Sequence, residues 1–248
     1  FVVSENGIQQ ETVHDIRGVA FSDSTAVAHA VVAADLILTA VGKDALVHVA
    51  SLLARTLPER QRQRPDASMR LIVIACENVQ DNTTYLRDRL LEQIPSNERD
   101  QLIQHVDFPN CVVDRIVPNT VPKDARGDSL AVTVEDYFQL AVDGTMLRAK
   151  FPRIPGIDVS NNLTATLEQK LFTLNMAHAI TAYFGYLAGH RFVHEAVIDA
   201  DIRALLDGAL EEVRATLTCR HPSITKGSQN TYAQKILKRF ANPHLRDE

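Results

Sequence analysis

Cysteine is scarce in this chain of 248 residues, and the three present, Cys76, Cys111 and Cys219, are odd in number and widely spaced with no C-x-x-C pair. That leaves no motif for a zinc or redox site and reads as free thiols in a reducing compartment, the cytoplasm. Glycines nowhere fall as G-x-G, so neither a dinucleotide fingerprint nor a Walker loop lies within these residues. Long apolar runs are missing too. The longest, Ala26 to Gly42, is interrupted by His29 and Asp35, whereas a membrane span needs about 20 predominantly apolar residues. A basic excess is also lacking: 26 Lys and Arg against 31 Asp and Glu give a net charge of −5. This argues against a protein that holds nucleic acid or an anionic membrane by net charge. A small anionic substrate remains compatible with it. The chain opens Phe-Val-Val-Ser, without Met, a basic region or a signal-type run, and the expectation is a piece cut from something longer.

What is present is an ordinary folding composition, 45% hydrophobic and 23% charged, enough for one large core or two small ones. Phe1 to Ser4 reads as a strand, Asn6-Gly7 as a tight turn, and Ile8 to Val13 as the hairpin partner. A helix is predicted from Ser24, a buried strand over Asp35 to Val41, a helix over Asp44 to Leu57, and an exposed loop from Leu57 to Arg70. Arginines 60, 62 and 64 in that loop form a solvated face or an anion contact. Met69 to Cys76 is a continuous apolar run of the kind parallel sheets bury on both faces. Helices follow over Asp81 to Ile94 and Ser96 to His105, the second with Ser96 as N-cap, and then a strand over Val112 to Val117. This alternation predicts a parallel sheet covered by helices. After about Pro122 the character changes, with short strands at Leu130 to Glu135 and Tyr137 to Val142. Beyond Asp158 only helical periodicity remains: Asn161 to Leu187, Val193 to Leu217, and Gln229 to Phe240.

Ligands of open parallel sheets bind outside the carboxyl ends of the strands. Two such ends carry candidates. Thr39-Ala40-Val41-Gly42 joins a hydroxyl to small residues and a glycine that permits close backbone approach. Asn78 offers an amide to a developing oxyanion or simply forms a turn. On the long helix, Lys170, Asn175 and His178 fall near about 0°, 140° and 80°. If that arc is held near protein, the lysine loses hydration and serves as a general base; otherwise it is a solvated stripe. His190 and His194 lie a helical turn apart, but there is no H-E-x-x-H and no third ligand.

The run from Lys170 through Asn175 and His178 to Tyr183, continued by Gly185 to His190, resembles the signature of the polyol-specific long-chain dehydrogenases, the mannitol dehydrogenase family. Within it the run looks most like the branch that acts on mannitol 1-phosphate. Thr39 to Gly42, Ile74 to Asn78, Val113 to Pro118, Ile154 to Gly156, Asn161 to Leu163 and Arg239 to Pro243 agree in chain order. The resemblance implies an α/β chain: an incomplete Rossmann-like parallel-sheet cofactor domain over residues 1–150, lacking its first strands and Gly-rich turn, then an all-helical substrate domain over 151–248, truncated at its end. It implies interconversion of D-mannitol 1-phosphate and D-fructose 6-phosphate with NAD and no metal. Lys170 matches the catalytic base, Asn175 and His178 match residues that hold the substrate oxygen, and Thr39, Val41, Gly42 and Asn78 match positions against the cofactor. A cytoplasmic monomer with a sugar-phosphate substrate, and with no nucleic-acid or membrane partner, is the expectation. Two alternatives remain: a polyol or hexuronate dehydrogenase acting on an unphosphorylated substrate, and a noncatalytic binding or scaffold remnant of the fold.

Overall fold

The computed structural model describes residues 1–66, 70–118, 127–148 and 150–248, so the strand start at Met69 and the change of character at Pro122 lie outside the described residues. Strands β1 (Val2–Ser4) and β2 (Gly7–Gln9) form the antiparallel hairpin, with Gly7 at φ +121 in the turn. β2 stops at Gln9, short of Val13, because the polar run Gln9 to Thr12 has nothing to bury. Helix α1 (Ser24–Ala33) is capped by Asp23, whose carboxylate accepts from the Ala26 N–H at 3.0 Å. β3 (Leu36–Thr39) is shorter than Asp35 to Val41 and only partly buried, with Leu38 48% exposed, because it is an edge strand.

After a 3₁₀ turn, helix α2 (Leu46–Gln63) runs on through Pro58. The loop expected from Leu57 is therefore helical to Gln63, and Arg60 is not on a solvated face. It is 2% exposed and donates to the Ala34 carbonyl at 2.9 Å, while Arg64 donates to Ala33 at 3.2 Å. The two guanidiniums supply the carboxyl end of α1 with the donors its last carbonyls need.

β4 (Leu71–Ala75) is buried at all five positions. Then come α3 (Asn82–Leu91), α4 (Ser96–His105), β5 (Val106–Asp107) and β6 (Cys111–Asp114), the last shorter than the run to Val117. Pro95, not Ser96, occupies the cap of α4, and no side chain bonds there. β7 (Val134–Glu135), β8 (Gln139–Asp143) and β9 (Ile157–Ser160) follow. β9 lies partly where only helix was expected; it pairs parallel with β8 from Leu140↔Ile157 to Asp143↔Ser160. Helix α5 (Leu163–Gln169), a π-helix over Lys170–Asn175 and α6 (Met176–Ala188) are continuous. The helix predicted over Val193 to Leu217 is two, α7 (Val193–Ala196) and α8 (Ala200–Arg220), because Asp199 caps a new start by accepting from Asp201 and Ile202. Last is α9 (Lys226–Phe240).

The described chain forms two compact units that alternate along the sequence. One comprises Val13–Val113 and Gln139–Leu163. Its parallel sheet, in the order β3-β4-β5, is buried on both faces at β4. Leu71, Val73 and Ala75 pack with Leu53, Leu57 and Leu86, while Ile72 and Ile74 pack with Cys111, Leu140 and Val142. The other unit comprises Phe1–Thr12, Asp114–Phe138 and Thr164–Glu248. It holds the sheet β2-β1-β7 and a helical core of Leu174, Ala177, Val197, Leu206, Ile236 and Phe240. Among the described residues no helix is long and apolar enough to cross a membrane.

Candidate functional site

At the carboxyl ends of β3 and β4 a buried carboxylate organises the backbone. Thr39 pairs with Ala75 in register, and the Cys76 N–H donates to the Thr39 carbonyl at 3.0 Å. Glu77, 6% exposed, accepts from the Thr39 hydroxyl at 2.8 Å and from the Val41 N–H at 2.9 Å. The bend after β3 is thus fixed from below. Gly42 then takes φ +83, a left-handed conformation that disfavours any side chain, and a Cβ built on it would meet nothing within 4 Å. Val41 and Asn78 are exposed beside this bend's parent strands. Asn82 secures the neighbouring chain: its amide donates to the carbonyls of Glu77 at 3.1 Å and Cys111 at 3.0 Å. Sequence reasoning named Thr39, Val41, Gly42 and Asn78 but not Glu77. Its signal was faint, a lone acid after an apolar strand.

In the other unit, Lys170 begins the π-helix and is 7% exposed. The Met176 N–H bonds the Leu171 carbonyl five residues back. That wider ring changes the geometry expected from a regular helix. Bonding of this kind widens the turn, so Asn175 is brought nearer the face that carries Lys170 than a regular helix would bring it. His178 follows on α6 from the same stretch, half-buried.

Two further residues hold this segment. Gln229, 1% exposed on α9, donates to the Thr173 hydroxyl at 2.7 Å and accepts from the Gln169 amide at 2.9 Å. His178 Nε2 donates to Asp247 at 2.7 Å, and the Phe240 ring meets the imidazole edge-on at 5.4 Å. A carboxylate acceptor on Nε2 leaves Nδ1 as the acceptor nitrogen of the neutral ring. Replacing Gln229 with leucine strands the Thr173 and Gln169 polar groups in the core and lowers stability by about 1–3 kcal/mol. Urea denaturation checks this; an unchanged midpoint would show that the network does not support the π turn.

Beneath this region Arg239 donates to Asp114 at 2.7 and 3.0 Å and to Glu135 at 2.6 and 2.9 Å, with its guanidinium 4.2 Å from the centre of the Tyr137 ring. All three charged side chains are at most 10% exposed. Burial pushes the Glu135 carboxyl up, against the pull of Arg239. Burial, with Asp114 close by, also lifts the Tyr232 phenol above its ordinary range.

The remaining candidates separate. His190 lies past the end of α6, where Gly189 closes the helix at φ +86, and its Nε2 bonds Asp199 at 3.2 Å. His194 sits on α7, stacked on Phe192. The two histidines therefore do not share a helix, because Gly189 ends it between them and Tyr186. Among the described residues, no three His, Cys, Asp or Glu side chains gather so as to hold a metal.

The chain thus combines a parallel-sheet part with ordered strand ends and a helical part bearing a buried lysine. Residues 1–156 match the mannitol dehydrogenase Rossmann domain and residues 162–248 the mannitol dehydrogenase C-terminal domain. The chain belongs to the mannitol dehydrogenase family, whose members are polyol oxidoreductases. Its fold is similar to that of D-sorbitol dehydrogenase in substrate-free form, at 20% identity and a TM-score of 0.71 over 92% of this chain and 54% of that one. It is also similar to Pseudomonas fluorescens mannitol 2-dehydrogenase, solved as a ternary complex with NAD and D-mannitol, at 22% identity and a TM-score of 0.66 over 91% of this chain and 53% of that one. The chain spans about half the length of these two structures.

Proposed function

We propose that this chain belongs to an NAD-dependent, lysine-dependent and metal-independent mannitol-1-phosphate 5-dehydrogenase of the cytoplasm, interconverting D-mannitol 1-phosphate and D-fructose 6-phosphate. The observation that carries the reading is the burial of Lys170 on a π turn, with Asn175 one turn on and His178 held by Asp247. Residues 1–150 serve the cofactor and 151–248 the substrate. NAD, when bound, accepts the hydride. Thr39, Val41 and Gly42 fit a flat ligand, because Glu77 fixes the strand end and Gly42 leaves open space where a side chain would stand; Asn78 flanks them. Lys170 Nζ takes the proton from the reacting hydroxyl and returns it in the reverse direction. Asn175 donates to the same oxygen, and His178, held by Asp247, orients the substrate by accepting from a neighbouring hydroxyl through the nitrogen that Asp247 leaves free.

A second reading, a dehydrogenase for an unphosphorylated polyol, is favoured by the two similar folds, sorbitol and mannitol dehydrogenases. The two readings diverge on the phosphate. Under the first, fructose 6-phosphate is reduced about a hundredfold or more better than fructose, since two charge-assisted contacts contribute about 1.5–3 kcal/mol each. Comparing kcat/KM for both sugars with NADH at matched ionic strength decides the matter. Equal activity, or preference for the free sugar, removes the phosphate assignment and leaves the lysine mechanism in place.

A further inference from the structure

Cys76 directly follows β4 and Cys111 opens β6, and both belong to the apolar layer built on Ile72, Ile74, Leu140 and Val142. The Cys111 sulfur is 3.3 Å from the Ala75 carbonyl oxygen, the atom at the peptide bond that leads into Cys76. That contact is the Cys111 thiol's own donation to the Ala75 carbonyl, and each thiol is the strongest electrostatic influence on the other. Asn82 grips the Cys111 backbone on both sides, donating to its carbonyl at 3.0 Å and accepting from its N–H at 3.2 Å, and its amide stands 3.6 Å from the sulfur. Cys111 is 5% exposed, whereas Cys76 is half-buried. Cys219 is exposed on α8, in the other unit.

We propose that Cys76 and Cys111 form a dithiol reactive toward hydrogen peroxide that closes to an intramolecular disulfide, with Cys76 the attacking sulfur and Cys111 the resolving one. The Cys76 thiolate attacks a peroxide oxygen; the O–O bond breaks, the distal oxygen leaves as water once protonated, and Cys76 becomes a sulfenic acid. The Cys111 sulfur then attacks Cys76, the S–S bond forms, the S–O bond breaks, and a second water leaves with the Cys111 proton. Two thiols and one peroxide give one disulfide and two waters.

The division of roles follows from the environment. Cys76 is the more exposed of the two, and the neighbouring Cys111 thiol favours its thiolate, although burial and Glu77 oppose it. The adjoining Cys76 side chain, then burial, pushes the Cys111 thiol up. Once Cys76 is a neutral sulfenic acid the part of that influence due to its charge is gone, and the Asn82 amide remains to favour the resolving thiolate. The disulfide ties the carboxyl end of β4, from which Glu77 anchors the Thr39 bend, to the start of β6.

The test treats the purified protein, in a Cys219→Ser background that prevents intermolecular bridging, with hydrogen peroxide near stoichiometric amount. Both thiols disappear together, the intact mass falls by two hydrogens, the peptides containing residues 76 and 111 are linked, and dithiothreitol reverses the change. Cys111→Ser yields a dimedone-trappable sulfenic acid at Cys76 and no bridge. Cys76→Ser slows oxidation of Cys111 by about tenfold or more, as expected of a buried protonated thiol; circular dichroism confirms that both variants fold. Oxygen addition at Cys76 without loss of hydrogen overturns the resolving role of Cys111. Equal reactivity of residue 111 with and without Cys76, or oxidation confined to Cys219 in the parent chain, overturns the proposal itself.

Discussion

Under the proposed lysine mechanism, replacing Lys170 with alanine in the complete protein lowers kcat for polyol oxidation by about 10²–10⁴-fold, the contribution of a positioned general base. The side chain is 7% exposed at the first residue of the π-helix, so water does not readily take its place. Alanine keeps the propensity of the surrounding helix, and far-ultraviolet circular dichroism should be unchanged. The control is Lys170→Arg. Arginine keeps the charge and reach but does not give up its proton near neutral pH, so it remains as inactive as alanine if the proton is what matters. Partial recovery of the alanine variant by small primary amines, increasing with amine concentration, identifies the missing group as a base. Turnover at the unsubstituted rate, or an arginine variant that is fully active, rules Lys170 out of that role.

The largest expected loss of stability follows Arg239→Met. The substitution leaves Asp114 and Glu135, 2% and 4% exposed, facing each other without their shared cation, and breaking a buried pair in this way costs about 3–5 kcal/mol. The deficit also depends on pH, and its sign is fixed by Glu135. Burial already holds that carboxyl above its ordinary range, and the variant removes the guanidinium that opposed burial. A carboxyl whose folded pKa is raised favours the folded state in its protonated form. That contribution is complete below the unfolded value of about 4.3 and is lost as pH rises through the folded value. The variant therefore falls furthest behind at neutral pH and recovers part of the gap in mildly acidic buffer. Urea midpoints of both proteins in the two buffers measure it; a gap independent of pH would mean that Glu135 does not titrate in this way.

Local chemistry made much of the fold legible in advance. β4 announces itself as five consecutive apolar residues, and the helices announce themselves by periodicity. What escaped was decided by distant residues. Pro58 and Arg60 read as loop, yet the carbonyls of Ala33 and Ala34, far away in sequence, need donors, and the helix continues to present them. β9, of which only Ile157 to Ser160 is strand, is too short to show alternation and exists because β8 offers it an edge. In the helical segment the types and spacing of Lys170, Asn175 and His178 were visible, but the widened turn that brings the first two nearer one face was not. Periodicity assumes one kind of helix. Glu77, Gln229, Asp247 and Arg239 belong to no motif; each is meaningful only beside the partner that folding brings to it.

The alternation of the two compact units turns chain order into a schedule for assembly. Domains fold as units during synthesis. Of the residues in this chain, those of the unit Val13–Val113 and Gln139–Leu163 have all been made once Leu163 has left the ribosome. The hairpin of β1 and β2 is made before any of it, but β1 pairs with β7, Val2 against Val134, and belongs to a unit that also contains Thr164–Glu248. The hairpin therefore stands unpartnered on its β7 side until Val134 and Glu135 have been made, and over that interval its open edge can pair with a chaperone or with the same edge of another nascent copy.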